Sequence, residues 1–231
     1  MSEANAGKAL TVQVEGSSFA RIPIRTRVVM AGDDLDEFVR EYAADVVREG
    51  DLLFVTEKIV AITQGRSYLV EDIKPRKLAL FLSKYVTRTP HGIGLGMPET
   101  MEMALRECGT IRILFAAAVS AVTKLFGRKG DFYRIAGDKA RAIDGPTSGT
   151  IPPYNKAVVL GPERPREVAT HLKSLLGGVP EVAVVDINDL GGNILGSTLD
   201  RAAEKRLVSI LKDNPLGQGH QSTPLGIVRA V

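Results

Sequence analysis

The chain has 231 residues, of which 44% are hydrophobic and 25% charged, as expected for a globular protein with a substantial core. Aromatic residues make up only 5% and Trp is absent, which argues against the base-stacking surfaces of single-stranded nucleic-acid binders. The net charge of +3 is spread along the chain and suits a small anionic substrate better than a nucleic-acid duplex. The single cysteine, Cys108, excludes an intramolecular disulfide framework.

The first seven residues are small and polar, and they lack the basic and apolar regions of a signal peptide. The longest apolar run, 111–122, is interrupted by Arg112 and Ser120 and is too short to cross a bilayer. We therefore predict a cytoplasmic protein that binds neither a membrane nor a nucleic acid.

Several segments have the composition or the alternating pattern of β-strands. Alternation in the first of them indicates a half-buried strand, whereas the continuous apolar runs indicate buried ones. Pro23 should lie at the start of its strand or on a sheet edge, because proline cannot donate a backbone hydrogen bond. The predicted strands are 10–15, 22–30, 52–56, 132–135, 156–160, 182–185 and 225–229.

Segments with helical periodicity lie between these strands. Asp33 or Asp34 can cap the first helix, and Pro98 suits the first turn of another. The stretch 111–126 is the most apolar of the chain and indicates a buried helix, although its first five residues are also compatible with a strand. The predicted helices are 34–48, 75–85, 98–107, 111–126, 165–176 and 199–211. Because strands and helices are interspersed, the predicted fold class is α+β, a mixed α/β architecture.

Residues 57–66 follow a predicted buried strand and contain Lys58, Gln64 and Arg66. A lysine directly after a strand, followed by a Gln-Gly-Arg turn, resembles a loop that handles phosphates, but the spacing is not that of a Walker motif. A solvated helix that ends at a glycine explains the same residues, and composition alone favours it.

The stretch 182–193 is the most informative part of the chain. Its apolar start predicts a buried strand that ends in a cluster of oxygen-bearing side chains and two glycines. Oxygen ligands beside glycines at a strand end suit a hard cation and a phosphate, but an ordinary polar turn has the same composition. The cluster consists of Asp186, Asn188, Asp189, Gly191 and Gly192.

Two further polar loops lie next to predicted strands. Residues 142–155 contain three prolines and one acid, Asp144, which predicts an ordered loop rather than a linker. Residues 217–224 form a polar loop with Gln218 and Gln221 before the last strand. A divalent metal with a nucleotide phosphate needs oxygens that converge from distant segments, so the three clusters together indicate such a site. Three unrelated loops would give the same pattern.

Segments spread in order along nearly the whole chain resemble the motifs of one family. They are 23–27 with 32–35, 51–60 with 64–66, 142–144, 188–191 and 217–221. The chain is similar in these segments to the γ-glutamyl ligases of coenzyme F420 biosynthesis. The order of the motifs is more specific than any one of them.

The resemblance implies the two-lobed ligase fold of that family, in a single domain of residues 1–231 with two intertwined lobes. It implies that GTP and a divalent metal, Mn²⁺ or Mg²⁺, serve the joining of L-glutamate to a carboxylate acceptor such as the F420 precursor. It also implies a homodimer, with Lys58 and Asp144 as catalytic residues. The residues implied for the nucleotide are Lys58, Gln64, Arg66, Gly191, Gly192 and Gln218, and those for the metal are Asp144, Asp186, Asn188, Asp189 and Gln221.

The chain departs from the family pattern at the motifs that hold the metal. Residues 133–136 replace a Cys-Ala-Asn segment, and Gln221 replaces an acid. Asn188 stands where the family carries another acid, unless Asp186 or Asp189 supplies that acid after a small shift. These substitutions support a second hypothesis, in which the protein binds a nucleotide or metabolite without turnover. An RNA-associated role is a weaker third hypothesis, because the charge is scattered and aromatic residues are few.

Overall fold

The computed structural model describes residues 3–86, 94–128, 130–188, 191–217 and 221–231. The chain forms two compact units: unit 1 comprises Met1–Gly65 with Pro162–Val231, and unit 2 comprises Arg66–Gly161. Both contain helices and strands, which confirms the predicted α+β class. The description as one domain with two intertwined lobes stays a prediction.

Within the described residues the elements have the following bounds. The strands are β1 (Thr11–Val14), β2 (Ser17–Ile24), β3 (Leu52–Thr56), β4 (Ser67–Leu69), β5 (Ala157–Val159), β6 (Glu181–Asn188), β7 (Gly191–Ser197) and β8 (Leu225–Ala230). The α-helices are α1 (Leu35–Ala43), α2 (Glu57–Thr63), α3 (Lys77–Leu82), α4 (Pro98–Glu107), α5 (Thr110–Leu125), α6 (Asp131–Ala136), α7 (Asp138–Arg141), α8 (Pro165–Leu175) and α9 (Arg201–Ile210).

Unit 1 is built on a mixed sheet with the strand order β1-β2-β8-β3-β6-β7. The neighbouring strands β3 and β6 are parallel, and the other neighbouring pairs are antiparallel. Phe54 and Val185 pack with α9, and the alternate residues Leu53 and Val184 are buried on the opposite face. Because helices also lie against this sheet through α2 and α8, the central strands are apolar on both faces, as predicted from their sequences.

Two glycines of unit 1 are required by close approaches. A Cβ at Gly196 in β7 would lie 2.2 Å from the backbone nitrogen of Arg166, so the start of α8 could not reach the strand. A Cβ at Gly226 in β8 would lie 2.3 Å from the ring of Phe54. The absent side chains thus let α8 pack closely on β7 and let the Phe54 ring of β3 lie against β8.

Unit 2 combines the antiparallel pair β4 and β5 with helices α3 to α7. Its core is formed by apolar side chains from these helices, among them Met101, Leu105 and Ile113. The buried carboxylate of Glu102 in α4 accepts hydrogen bonds from Nε of Arg76 at 3.0 Å and of Arg106 at 2.8 Å. Asp131, also buried in unit 2, is likewise paired with two arginines, Arg128 and Arg134.

Most predicted elements are present, and α4 has the predicted bounds. The strand predicted at 22–30 is wrong, because β2 runs from Ser17 to Ile24. Pro23 lies near its end, past the reach of β1, which pairs only with residues 17–20, so its missing N–H leaves no ladder bond unmade on that side. The first helix begins at the predicted cap, Asp34, but ends at residue 43 rather than 48.

Two further predictions are corrected. Residues 132–135 lie in α6 rather than in a strand, because Asp131 at the helix start pairs with Arg134 one turn later, at 2.7 Å, and short aromatic runs suit either structure. Residues 57–63 form a helix as composition favoured, but α2 buries four residues, 59–62, and is not a solvated helix.

The burial predicted for the apolar stretch 111–126 is also wrong. The stretch is helical, yet only Ile113 and Ala116 are buried. A stripe at helical spacing, containing Ile111, Phe115, Ala118, Val122 and Leu125, is exposed, and Ile111 and Leu125 are each 85% exposed. Composition cannot distinguish a core helix from one that offers an apolar surface.

Within the described ranges no single helix is long and apolar enough to span a membrane; α4 and α5 satisfy length and composition only together, as a pair bent by 118°.

The homodimer remains a prediction, and the α5 stripe gives a surface on which to test it. Apolar residues at alternating spacings of four and three are typical of helix pairing. Light scattering at micromolar concentration should give twice the chain mass of 24.8 kDa. Replacing Phe115 and Leu125 together by Glu should give the monomer mass, because each partner would bury two charges. Val46→Glu, in unit 1, is the control and should leave the mass unchanged, while a monomeric wild type would end the prediction.

The acid sensitivity of unit 2 should depend on Glu102. Burial raises its pKa, but the hydrogen bonds from Arg76 and Arg106 outweigh it and hold the pKa below the ordinary 4.5. The stabilisation is therefore complete above pH 4.5 and is lost as the pH falls through the lower folded-state pKa. Glu102→Gln should lower the free energy of unfolding near neutrality by about 1–3 kcal/mol and flatten its fall in acid.

Urea unfolding at several pH values measures this effect. The exposed acid of α8, Glu167, supplies the control, and Glu167→Gln should change neither the stability nor its pH dependence. If the free energy of unfolding of Glu102→Gln fell in acid as steeply as that of the wild type, other carboxylates would govern the acid transition.

Candidate functional site

One edge of the unit 1 sheet collects the ends of several strands. The parallel register places Thr56 of β3 opposite Val185 of β6. The antiparallel strand β8 begins at Leu225, which lies opposite Val55 of β3 and Ile24 of β2. The segments that follow β2, β3 and β6 therefore meet the segment that precedes β8, and ligands of open α/β sheets bind at such carboxyl ends.

Backbone hydrogen bonds hold these segments together. The N–H of Thr26 donates to the carbonyl of Ser222 at 2.9 Å, and the hydroxyl of Ser222 donates to the carbonyl of Arg27 at 3.2 Å. The N–H of Thr56 donates to the carbonyl of Pro224 at 3.0 Å. The loop before β8 is thus fixed against the segments that leave β2 and β3.

Strand β6 is longer than predicted, and this places two candidate ligands inside a hairpin. Asp186 and Asn188 belong to the strand and lie opposite Asn193 and Gly191 of β7. Because they are two residues apart, their side chains share one face of the hairpin. Gly191 has a φ of +152°, which favours glycine, whereas Gly192 has ordinary backbone angles. Asp189 lies outside the described residues.

Lys58 lies in the first turn of α2, two residues after β3 ends. It is half-buried, and its position in the chain puts it at the same edge as the β6–β7 hairpin. The predicted strand is therefore followed by a short helix that contains Lys58, and the Gln-Gly turn ends that helix.

Gln64 and Arg66, predicted to contact the nucleotide, both have structural partners. The Gln64 amide accepts from the N–H of Glu163 at 2.7 Å and donates to its carbonyl at 2.9 Å, within unit 1. In unit 2, Arg66 donates to the carbonyl of Gly161 at 2.7 Å and pairs with Glu107 at 2.7 Å. Their contact with a nucleotide remains a prediction.

Asp144 anchors an ordered loop in unit 2. Its N–H donates to the carbonyl of Val159 at 2.8 Å, and its carbonyl accepts from the Val159 N–H at 2.9 Å. This bridge confirms the prediction of a structured loop with Asp144 at its base. Asp144 belongs to unit 2, and Asp186, Asn188 and Gln221 belong to unit 1, so the complete metal site stays a prediction.

Gln221 contributes an oxygen that needs a partner. Its Oε1 atom is buried and accepts no hydrogen bond from any described residue. Leaving a buried acceptor unpaired costs about 1–3 kcal/mol, so a bound cation or donor would relieve it. Gln218 lies outside the described residues. Within the described part of the chain, no three His, Cys, Asp or Glu side chains converge to hold a metal ion.

The loop before β8 is anchored by a residue that was not among the predicted site residues. Asn5, from the small polar N-terminal segment, is buried and donates from Nδ2 to the carbonyl of Leu216 at 2.8 Å and to Thr223 Oγ1 at 2.8 Å. Both partners flank the segment that contains Gln221. A lone Asn in a polar segment gives no pattern that predicts such a long-range contact.

The fold and the edge of the sheet define an α+β protein with polar groups at the carboxyl ends of central strands. A family described as F420-0:gamma-glutamyl ligase matches residues 23–197, which include Lys58, Asp144 and the β6–β7 hairpin. The chain belongs to this F420-0:gamma-glutamyl ligase family, and the family is one of ligases. None of the curated proteins compared with the chain matches it. The match ends before the loop that contains Gln221.

Proposed function

We propose that this protein joins L-glutamate through an amide bond to a carboxylate acceptor such as the F420 precursor, and that it uses GTP and Mn²⁺ or Mg²⁺. The observation that carries the proposal is the family match over residues 23–197. Its location in the cytoplasm and its small anionic substrates form part of the same proposal.

The proposed reaction has two steps. The acceptor carboxylate attacks the γ-phosphorus of GTP, so that an acyl phosphate forms and GDP leaves. The amine of glutamate then attacks the acyl carbon, inorganic phosphate leaves, and the amine loses a proton. Positioning and charge stabilisation supply most of the catalysis in phosphoryl transfer.

Lys58 is proposed to supply positive charge to the phosphates. Its ammonium group is a compact charge on a flexible stem, which suits a role near a transferring phosphoryl group. Its place beside the carboxyl ends of β3 and β6 supports this assignment. Gly191 and Gly192 are proposed to let the nucleotide approach the backbone. The protein itself does not require a glycine at position 192, because a Cβ there would lie 3.5 Å from Ile187, an ordinary van der Waals contact.

Oxygen donors fit the proposed metal in their chemistry. Asp186, Asn188 and Gln221 have side-chain oxygens at one edge of unit 1. The buried Gln221 Oε1 accepts no hydrogen bond from the residues that the structure describes, which supports a ligand role. Asp144, with Asp189 from the same motif as Asn188, would complete the set. When bound, the metal would offset the phosphate charge and polarise the transferred group.

The alternative function is binding of a nucleotide or metabolite without turnover. The observation that favours it is the presence of neutral Asn188 and Gln221 where the family pattern has acids. A neutral amide binds a hard cation more weakly than a carboxylate does, so metal affinity and turnover separate the two functions.

Metal affinity tests the proposed ligands directly. Calorimetry with manganese should show binding at least about tenfold weaker in Asp144→Ala, because a carboxylate ligand is lost. Gln221→Glu should bind manganese about tenfold more tightly, since it restores a charged ligand. Gln13→Glu, on exposed β1, makes the same change elsewhere and should have no effect. Equal affinity in wild type and Asp144→Ala would remove Asp144 from the site.

Turnover tests Lys58. Phosphate release from GTP should require both an acid acceptor and L-glutamate, and Lys58→Ala should lower it about a hundredfold, the scale for one preorganised electrostatic group. GTP affinity should change little if the charge acts mainly in the transition state. Lys212→Ala, an exposed lysine of unit 1, should behave like the wild type.

GTP binding without stimulated phosphate release, across acceptors from a metabolite extract, would contradict the ligase function and favour the binding protein. A Lys58→Ala variant with full turnover would leave the ligase function intact but exclude Lys58 from it.

A further inference from the structure

Unit 2 contains a cavity of about 780 Å³ that lies among α4, α5, α6 and α7. This volume is in the range of sites that hold small metabolites. Its wall includes four cations against two carboxylates: Arg112, Arg134, Lys139 and Arg141, with Glu107 and Asp138. The excess of two positive charges makes the cavity suited to an anion.

The two carboxylates of the wall, Glu107 and Asp138, are each paired or exposed to solvent. Glu107 forms ion pairs with Arg66, which does not line the cavity, at 2.7 Å, and with Lys139 at 2.9 Å. Burial raises the Glu107 pKa, but these two hydrogen bonds outweigh it and place the pKa below the ordinary range. Asp138 has a 98% exposed side chain and a 3.4 Å contact with Arg141, so solvent screens its charge. Solvent also screens the exposed cations Arg134, Lys139 and Arg141, but less completely, since 62–66% of each side chain is exposed.

The exposed guanidinium of Arg112 is held in place by contacts with the backbone. Its Nε donates to the carbonyl of Ile135 at 2.9 Å. Its guanidinium passes so close to Gly137 that a Cβ there would lie 2.8 Å from Nη2, and Gly137 has a φ of +92°. Among the described residues no carboxylate pairs with Arg112. A guanidinium fixed through Nε and the backbone keeps its remaining N–H donors arranged for a planar, bidentate partner.

We propose that this cavity binds a small phosphate monoester, with Arg112 as the bidentate donor and Lys139 as a supporting charge. Arg134 contributes less, because it pairs with Asp131, a buried carboxylate outside the lining, at 2.7 Å. A phosphate monoester carries about two negative charges near neutrality, which equals the excess on the wall. The volume leaves room for an organic group attached to the phosphate. The proposal does not depend on the ligase function, because none of the residues proposed for that function lines the cavity.

The reactivity of one residue of the wall can be used to measure whether the cavity is occupied. Cys108 lines the cavity and is the only cysteine of the chain. Burial and the nearby Glu107 raise the pKa of its thiol, so it reacts slowly, and an occupant of the cavity would slow it further. N-Ethylmaleimide suits this purpose because it is uncharged and does not compete as an anion.

The test measures the rate at which N-ethylmaleimide modifies Cys108 as inorganic phosphate is added at constant ionic strength. We expect saturable protection, at least about threefold in rate, with a midpoint about tenfold higher in Arg112→Ala, the scale of one charge-assisted bidentate contact. Arg206→Ala removes an equal charge from exposed α9 and should leave the midpoint unchanged. Phenyl phosphate, which adds an organic group, should protect at least as well as inorganic phosphate.

Lys139→Ala covers the case in which Arg112→Ala loses its fold, which circular dichroism would show. Lys139 is 66% exposed, so its removal should preserve the fold, and it should also raise the midpoint because Glu107 loses one of its two cations. The proposal would be overturned if phosphate gave no protection, or if the midpoint were the same in wild type and Lys139→Ala. It would also be overturned if succinate protected Cys108 as well as phosphate does. Phosphate binding by calorimetry without protection of Cys108 would overturn the location.

Discussion

The parallel pairing of β3 with β6 is the constraint on which the rest of the chain depends. Parallel neighbours cannot be joined by a tight turn, so the chain must leave the sheet after Thr56 and return before Glu181. In this protein that excursion contains α2, the whole of unit 2 and α8. The same pairing aligns the carboxyl ends of both strands, which puts Lys58 and the β6–β7 hairpin at one edge. Topology and candidate site therefore have a single cause.

The local sequence was sufficient to predict a strand or helix wherever the burial of its residues agrees with their hydrophobic periodicity. Residues 52–55 of β3 and 182–185 of β6 are uniformly apolar because both faces of the sheet are covered there. α4 combines Pro98 at its start with a regular apolar pattern. For α5 the sequence predicts a helix correctly, but it does not predict that most of the apolar side chains of this helix are exposed. β2 shows another limit, because Ser17 and Ser18 join a strand only through their pairing with β1 and β8.

The candidate site was predictable as a set of segments but not as a geometry. The order of the motifs indicates the family, and the family match confirms it. The hydrogen bonds of Gln64 with Glu163 and of Arg66 with Glu107 connect residues that are far apart in the sequence, so no local pattern indicates them. The same holds for Asn5, whose side chain fixes the loop before β8. Each of these is a polar contact satisfied at long range, and sequence periodicity carries no information on such contacts.

The hydrogen bonds around Gly65 and Gly161 have a consequence for how this chain can vary. On the unit 1 side, Gln64 holds the backbone of Glu163; on the unit 2 side, Arg66 bonds to both Leu160 and Gly161, at 3.0 Å and 2.7 Å. The two points where the chain leaves and rejoins the sheet-bearing unit are therefore side by side. An insert with adjacent ends can lengthen, shorten or be exchanged without pulling on the strands that frame it. A change of length within residues 66–161 therefore need not shift the register of the strands on either side of it.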